Sequence, residues 1–169
     1  MWQAIWQTTS DLSVWECLAF IAGLIYVYLA SKNKISCWIF GILSSGIWTY
    51  VSYFEYDLYM DSALNLFYVI MGAIGWLNWG KSGGNPQISS FSIPFHAIAI
   101  CFLIGLSVVL AYLLDHKTDA DLPYWDAGTT IFSIWATYLL VKHKRENWLY
   151  WIFTDFIYIG LYAYKGAYL

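Results

Sequence analysis

The chain has 169 residues and a formal net charge of −3, with 11% of residues charged, 60% hydrophobic and 21% aromatic. A soluble domain carries about 25% charged residues, so this composition excludes an ordinary soluble protein and points to an integral membrane protein. The eight Lys and Arg are scattered through short loops, which excludes a nucleic-acid-binding patch, and Cys17, Cys37 and Cys101 lie in apolar runs as small side chains rather than a disulfide or metal set.

Met1 is followed by "WQAIWQTTSD", which lacks the basic n-region of a cleavable signal peptide. Six continuous apolar stretches follow, at residues 14–30, 35–54, 58–79, 91–114, 125–141 and 147–164. Each is about 17 to 24 residues, enough for a helix to cross a hydrocarbon core of about 30 Å. A transmembrane barrel would instead show alternating segments of about ten residues. Only "GKSGGNPQISS" and "DHKTDADLP" interrupt the spans at length, with linker composition.

The loops carry their charges unevenly. Lys32, Lys34, Lys81, Lys142, Lys144 and Arg145 lie in the odd-numbered loops, while Glu55, Asp57, Asp115, Asp119 and Asp121 lie in the even-numbered ones. By the positive-inside rule the odd loops are cytoplasmic and the N-terminus is outside.

The sequence also repeats itself. "VWECLAFIAGLIYVYLASKNK" pairs with "YWDAGTTIFSIWATYLLVKHK", and "ISCWIFGILSSGIWTYVSYF" with "WLYWIFTDFIYIGLYAYKG", the shared "WIF" standing at Trp38 and Trp151. Residues 1–80 thus form a three-helix repeat, 81–120 a linker helix with its loops, and 121–169 a second repeat with two of its three helices. The two units enter the membrane from the same side, a parallel-repeat arrangement used by some transporters. The expected fold is an all-α integral membrane bundle in which a seventh helix is absent from this chain, "YKGAYL" reading as its start.

Residues three and four apart share a helix face. In the last span that face reads Trp148, Trp151, Asp155, Tyr158, Tyr162. Shifted by 113 residues, the line in the second span is Ile35, Trp38, Ile42, Ser45, Thr49; the third span offers Asp61, Asn65, Tyr68, Gly72, Trp76, Trp79. Trp148, Trp79 and Trp125 also suit the interfacial belt. Trp151 lies one turn deeper. Asp155 sits deep in its span, where a carboxylate is costly unless it meets protein, water or ligand; a substrate contact and a structural tie both account for it. Asn65 has the same two readings. Two deep indoles with a carboxylate suit a flat cationic ring, because cation–π attraction reaches about 2 kcal/mol when desolvated. His96, His116 and His143 lack metal-ligand spacing, and neither a P-loop nor a dinucleotide fingerprint is present. No enzyme activity, metal or cofactor is expected.

"IAGLIYVYLASKNKISCWIFGILSSGIWTY", "LYMDSALNLFYVIMGAIGWLNW" and the stretch from "YWDAGTT" to "AYKGAYL" together resemble the PnuC-type vitamin transporters. The most specific element is "NWLYW", Asn147 to Trp151. The resemblance implies that Trp148 and Trp151 line a nicotinamide riboside site, with Asn65 and Tyr68 in a stretch facing the same cavity. It further implies a SWEET-like fold in a three-one-three pattern, a homotrimer, and facilitated diffusion across a bacterial inner membrane. Nicotinamide riboside is an NAD precursor, and a cytoplasmic kinase would trap it without implied direct contact. Asp155, Tyr158, Tyr162, Asn147 and Trp38 complete the candidate site. Thiamine or another aromatic vitamin is the alternative cargo. A non-transporting membrane receptor or structural protein is the alternative from another class, and it would carry a polar line without a solvent path.

Overall fold

A computed structural model of the chain describes residues 13–56, 59–81, 87–117 and 122–165. The described residues form six α-helices: α1 (Val14–Ser31), α2 (Cys37–Phe54), α3 (Tyr59–Lys81), α4 (Ile93–Lys117), α5 (Pro123–Val141) and α6 (Asn147–Lys165). They coincide with the six apolar runs because, in lipid, a helix satisfies each backbone group within its own segment. The outward surface is what a bilayer requires. Phe20 on α1, with 62% of its surface exposed, and Ile98 on α4, with 72%, would be untenable in such numbers in water. Stretches of α1, α3 and α4 are long and apolar enough by composition to cross a membrane. α2, α5 and α6 have similar lengths but dilute their hydropathy with Trp, Tyr, Ser and Thr. The chain is a multi-pass membrane protein.

The chain forms two compact units. The first comprises residues 1–87 together with Val141–His143. A capping box opens α1: Glu16 N donates to Ser13 Oγ (3.3 Å), and Ser13 N donates to Glu16 Oε2 (2.7 Å). The other carboxylate oxygen accepts from the Tyr56 hydroxyl just beyond α2. One buried carboxylate therefore satisfies the Ser13 amide at the start of α1 and pins the end of α2 to it.

The helices of this unit approach through small residues. Ser44 Oγ of α2 donates to Ala19 O of α1 at 2.8 Å, and Gly41 leaves room for the Tyr26 ring. On the other flank of α2, Ser62 Oγ of α3 donates to Thr49 O at 2.9 Å. A Cβ on Gly72 would come within 2.6 Å of Ile42, and one on Gly75 would collide with the Trp38 indole. Both glycines are occupied by helix–helix contact.

The second unit comprises residues 88–140 and 144–169. Its buried cluster joins Leu103 of α4 to Ile131, Phe132, Ala136 and Leu139 of α5 and Tyr150 of α6. α4, the linker of the sequence reading, thus packs as part of this unit. Pro123 begins α5, where its missing N–H costs nothing.

The turns that join α1 to α2 and α5 to α6 share one geometry. Asn33 and His143 adopt left-handed φ values of 53° and 56°, as at helix C-termini. Lys34 N donates to Leu29 O at 3.0 Å, and Lys144 N to Leu139 O at 2.9 Å. Cys37 N and Asn147 N donate to Lys34 O and Lys144 O in the same way. These bonds place Trp38 in the position of Trp148, an offset of 110 residues. The offset of 113 expected from the "WIF" triplets is corrected: hydrogen-bonded turn geometry fixes the helix start, whereas a repeated triplet slides by one helical turn without losing its face. Ser45, not Ile42, is the counterpart of Asp155.

Candidate functional site

The α6 stripe of the sequence reading is real but two-edged. Successive residues advance by 100° around the helix, so Trp148 and Asp155, two turns apart, ride one edge, while Trp151 and Tyr158 ride the other. Trp151 packs against the buried cluster of the second unit. Trp148 and Tyr158 are half-buried, and Asp155 is exposed. Among the described residues no hydrogen bond or ion pair engages the Asp155 carboxylate. α6 therefore presents one uncommitted carboxylate, with the Trp151 indole one turn before it and the Trp148 indole two turns before it. The side chain of Tyr162 lies outside the described residues.

Asn147 has a different post. It is buried, and its amide nitrogen donates to Lys144 O at 2.7 Å, closing the turn into α6. Its Oδ1 is buried without a partner. The first residue of the "NWLYW" motif thus anchors the turn that leads into both tryptophans.

The candidates of the first unit divide similarly. Trp38 is 2% exposed, edge-on to Trp79 at 5.3 Å and tilted against Tyr26 at 6.3 Å. The Trp79 ring in turn lies 4.9 Å from that of His143. Trp38 is the wedge between α2 and α3, a packing role that its position near a helix start concealed. Asn65 is half-buried and donates to Asp61 O one turn back, at 3.0 Å. That bond leaves its Oδ1 as the available acceptor. Tyr68 is half-buried beside Phe67 on the same helix, ring centroids 5.7 Å apart.

A polar cluster in the second unit escaped sequence reasoning. His96 Nδ1 lies 2.9 Å from Tyr150 Oη, and His96 Nε2 lies 3.9 Å from Glu146 Oε1. Burial raises the pKa of Glu146, but hydrogen bonding to Ser90 and its own backbone and the nearby charges of His96 and Arg145 outweigh it. The carboxyl is held below its usual range. The cluster stands at one end of a groove of about 880 Å³ lined by α4, α5 and α6. The signal was weak because His96 and Tyr150 are 54 residues apart and neither sits in a motif. Among the described residues no group of His, Cys, Asp and Glu could hold a metal ion.

A family model described as "Nicotinamide mononucleotide transporter" matches residues 13–169. The protein of Neisseria mucosa named "Nicotinamide riboside transporter PnuC" is 29% identical over 156 residues, covering 86% of this chain. The chain spans 58% of that relative's length. The Escherichia coli protein of the same name is 27% identical over 186 residues, covering 94% of this chain and 77% of the relative. A solved structure described as "Crystal structure of the Vitamin B3 transporter PnuC" superposes with a TM-score of 0.77 at 27% identity, over 95% of this chain and 72% of that one.

Proposed function

The chain belongs to the nicotinamide mononucleotide transporter family, and from that premise we propose that it carries nicotinamide riboside across the membrane as a uniporter. The observation that carries the reading is the family match over residues 13–169, in relatives named for this cargo. The chemistry of α6 supports it. Nicotinamide riboside presents a cationic pyridinium, a carboxamide and sugar hydroxyls. An exposed carboxylate at Asp155 attracts the cation, while Trp148 and Trp151 offer faces for the ring. Within the first unit, Asn65 and Tyr68 carry an amide and a hydroxyl, groups that hydrogen-bond a carboxamide or a ribose.

Transport runs downhill by facilitated diffusion: Asp155 is the one deep carboxylate among the candidate residues, and the His96–Glu146 pair lies at the helix starts, Glu146 nine residues before it in the chain, rather than beside it. The working form is a homotrimer in a bacterial inner membrane with the N-terminus outside. The basic odd loops favour that orientation.

The test is uptake of labelled nicotinamide riboside into proteoliposomes made with the full chain, with thiamine and riboflavin as competitors. Saturable equilibration is expected, unchanged when proton and sodium gradients are dissipated. Accumulation above the outside concentration that an ionophore abolishes would overturn the uniport mechanism. Equilibration of thiamine but not of nicotinamide riboside would reassign the cargo. Mass measurement in lipid discs decides the trimer.

A further inference from the structure

We propose that the groove between α4, α5 and α6 binds an anionic glycerophospholipid, its acyl chain in the apolar trough and its phosphate at the Arg145 end. The trough holds about 880 Å³. Its α4 wall runs from Ile93 to Val108, about 22 Å at 1.5 Å per residue. Phe132 of α5 and Leu149 and Phe153 of α6 face it. The hydroxyls within it are turned back into their own helices: Ser107 Oγ donates to Leu103 O at 2.8 Å, and Thr129 Oγ1 donates to Trp125 O at 3.0 Å. What remains for a ligand along most of the length is hydrocarbon.

Charge is confined to one end. Arg145 and Glu146 line the groove there, whereas the far end is lined by Tyr124 and Trp125. Glu146 is already engaged by Ser90 and by His96. Arg145 is exposed and makes no ion pair among the described residues. Lys144 stands beside it, its Nζ 3.9 Å from the Phe91 ring centroid. The groove is therefore an amphiphile's negative image, an apolar channel ending at a guanidinium with an ammonium nearby.

An open trough in a bilayer fills with lipid chains or with a neighbouring protein. Charge decides between them. A second copy in the same orientation brings its odd-numbered loops to this side of the membrane, and Glu146 is the one acidic residue those loops contain. It has no free anion for Arg145. A phosphate does, and the guanidinium fork binds it through two parallel hydrogen bonds. Basic pockets between helices on the cytoplasmic side are built for such headgroups.

The test needs no transport. Delipidated full-chain protein in detergent is titrated with phosphatidylglycerol, with phosphatidylcholine of the same acyl chains, and with inorganic phosphate. Bound lipid is read by native mass spectrometry and stability by thermal unfolding. We expect phosphatidylglycerol to bind about tenfold more tightly than phosphatidylcholine: both offer Arg145 a phosphodiester, but the second also carries a quaternary ammonium, which the charges of Arg145 and Lys144 repel. Arg145→Gln, at an exposed position where folding is not at risk, should remove that preference. Ile104→Trp, which fills the trough, should weaken both lipids. Equal binding of the two lipids, or an unchanged preference in Arg145→Gln, overturns the proposal. So does stabilisation by inorganic phosphate alone, or a disulfide between two copies through Ile104→Cys.

Discussion

Gly75 is the position where one methyl group tests the packing of the first unit. A Cβ there would run into three atoms of the Trp38 indole, which is held by Trp79 and Tyr26 and is 2% exposed. The ring has no flexible end to swing away. Overpacking of this kind costs about 1–3 kcal/mol. Replacing a helical glycine by alanine returns about 0.8–1 kcal/mol in helix propensity. The balance for Gly75→Ala is a loss of about 0–2 kcal/mol, up to about 30-fold in the folded-to-unfolded ratio. Gly105→Ala is the control, since its Cβ meets nothing within 4 Å; it should be neutral or slightly stabilising. Unfolding in mixed micelles with a denaturing detergent, followed by tryptophan fluorescence, measures both. Trp38→Phe added to Gly75→Ala should recover part of the loss, because neighbours in contact couple by about 0.5–3 kcal/mol. If Gly75→Ala is as stable as Gly105→Ala, Trp38 does not pack on α3 as described.

Asp155→Asn keeps the shape of the side chain and removes its charge. It should weaken binding of nicotinamide riboside more than that of its uncharged dihydropyridine analogue, measured on folded protein, and equal losses would leave Asp155 a structural tie. Trp151→Ala should cost about 30-fold or more in affinity and exceed Trp148→Ala; calorimetric titration decides, with melting temperature recorded because Trp151 also packs on the buried cluster. Tyr56, pushed up to about 12 first by its hydrogen bond to Glu16, contributes stability that is complete below about pH 10 and is lost as pH rises toward 12. Tyr56→Phe should flatten stability over that interval in a pH series of thermal melts. His143 is lowered by burial, so its contribution is present above about pH 6.5 and lost as pH falls below it. His143→Asn, the residue found in the same left-handed position at Asn33, should remove that acid sensitivity, and an unchanged profile would show that His143 is not its source.

The six helices were legible from the sequence because a bilayer leaves a long apolar run one solution, a helix bonded to itself. Turn chemistry was half legible: the Lys-Asn-Lys and Lys-His-Lys loops mark the two related turns, but the hydrogen bonds that set their offset at 110 residues exist only once each chain has turned. Periodicity placed Trp148, Trp151, Asp155 and Tyr158 on one stripe, since helical geometry is local. It could not say which edge of that stripe is spent on packing. Trp38 stood among the candidate site residues and is buried where α2 meets α3, and Gly72 faces Ile42, because their neighbours come from another helix. His96, Glu146 and Tyr150 looked like nothing and stand together. Spacing along one helix is written in the sequence; which partner each face meets is decided by helices that are distant in the chain and adjacent only in the fold.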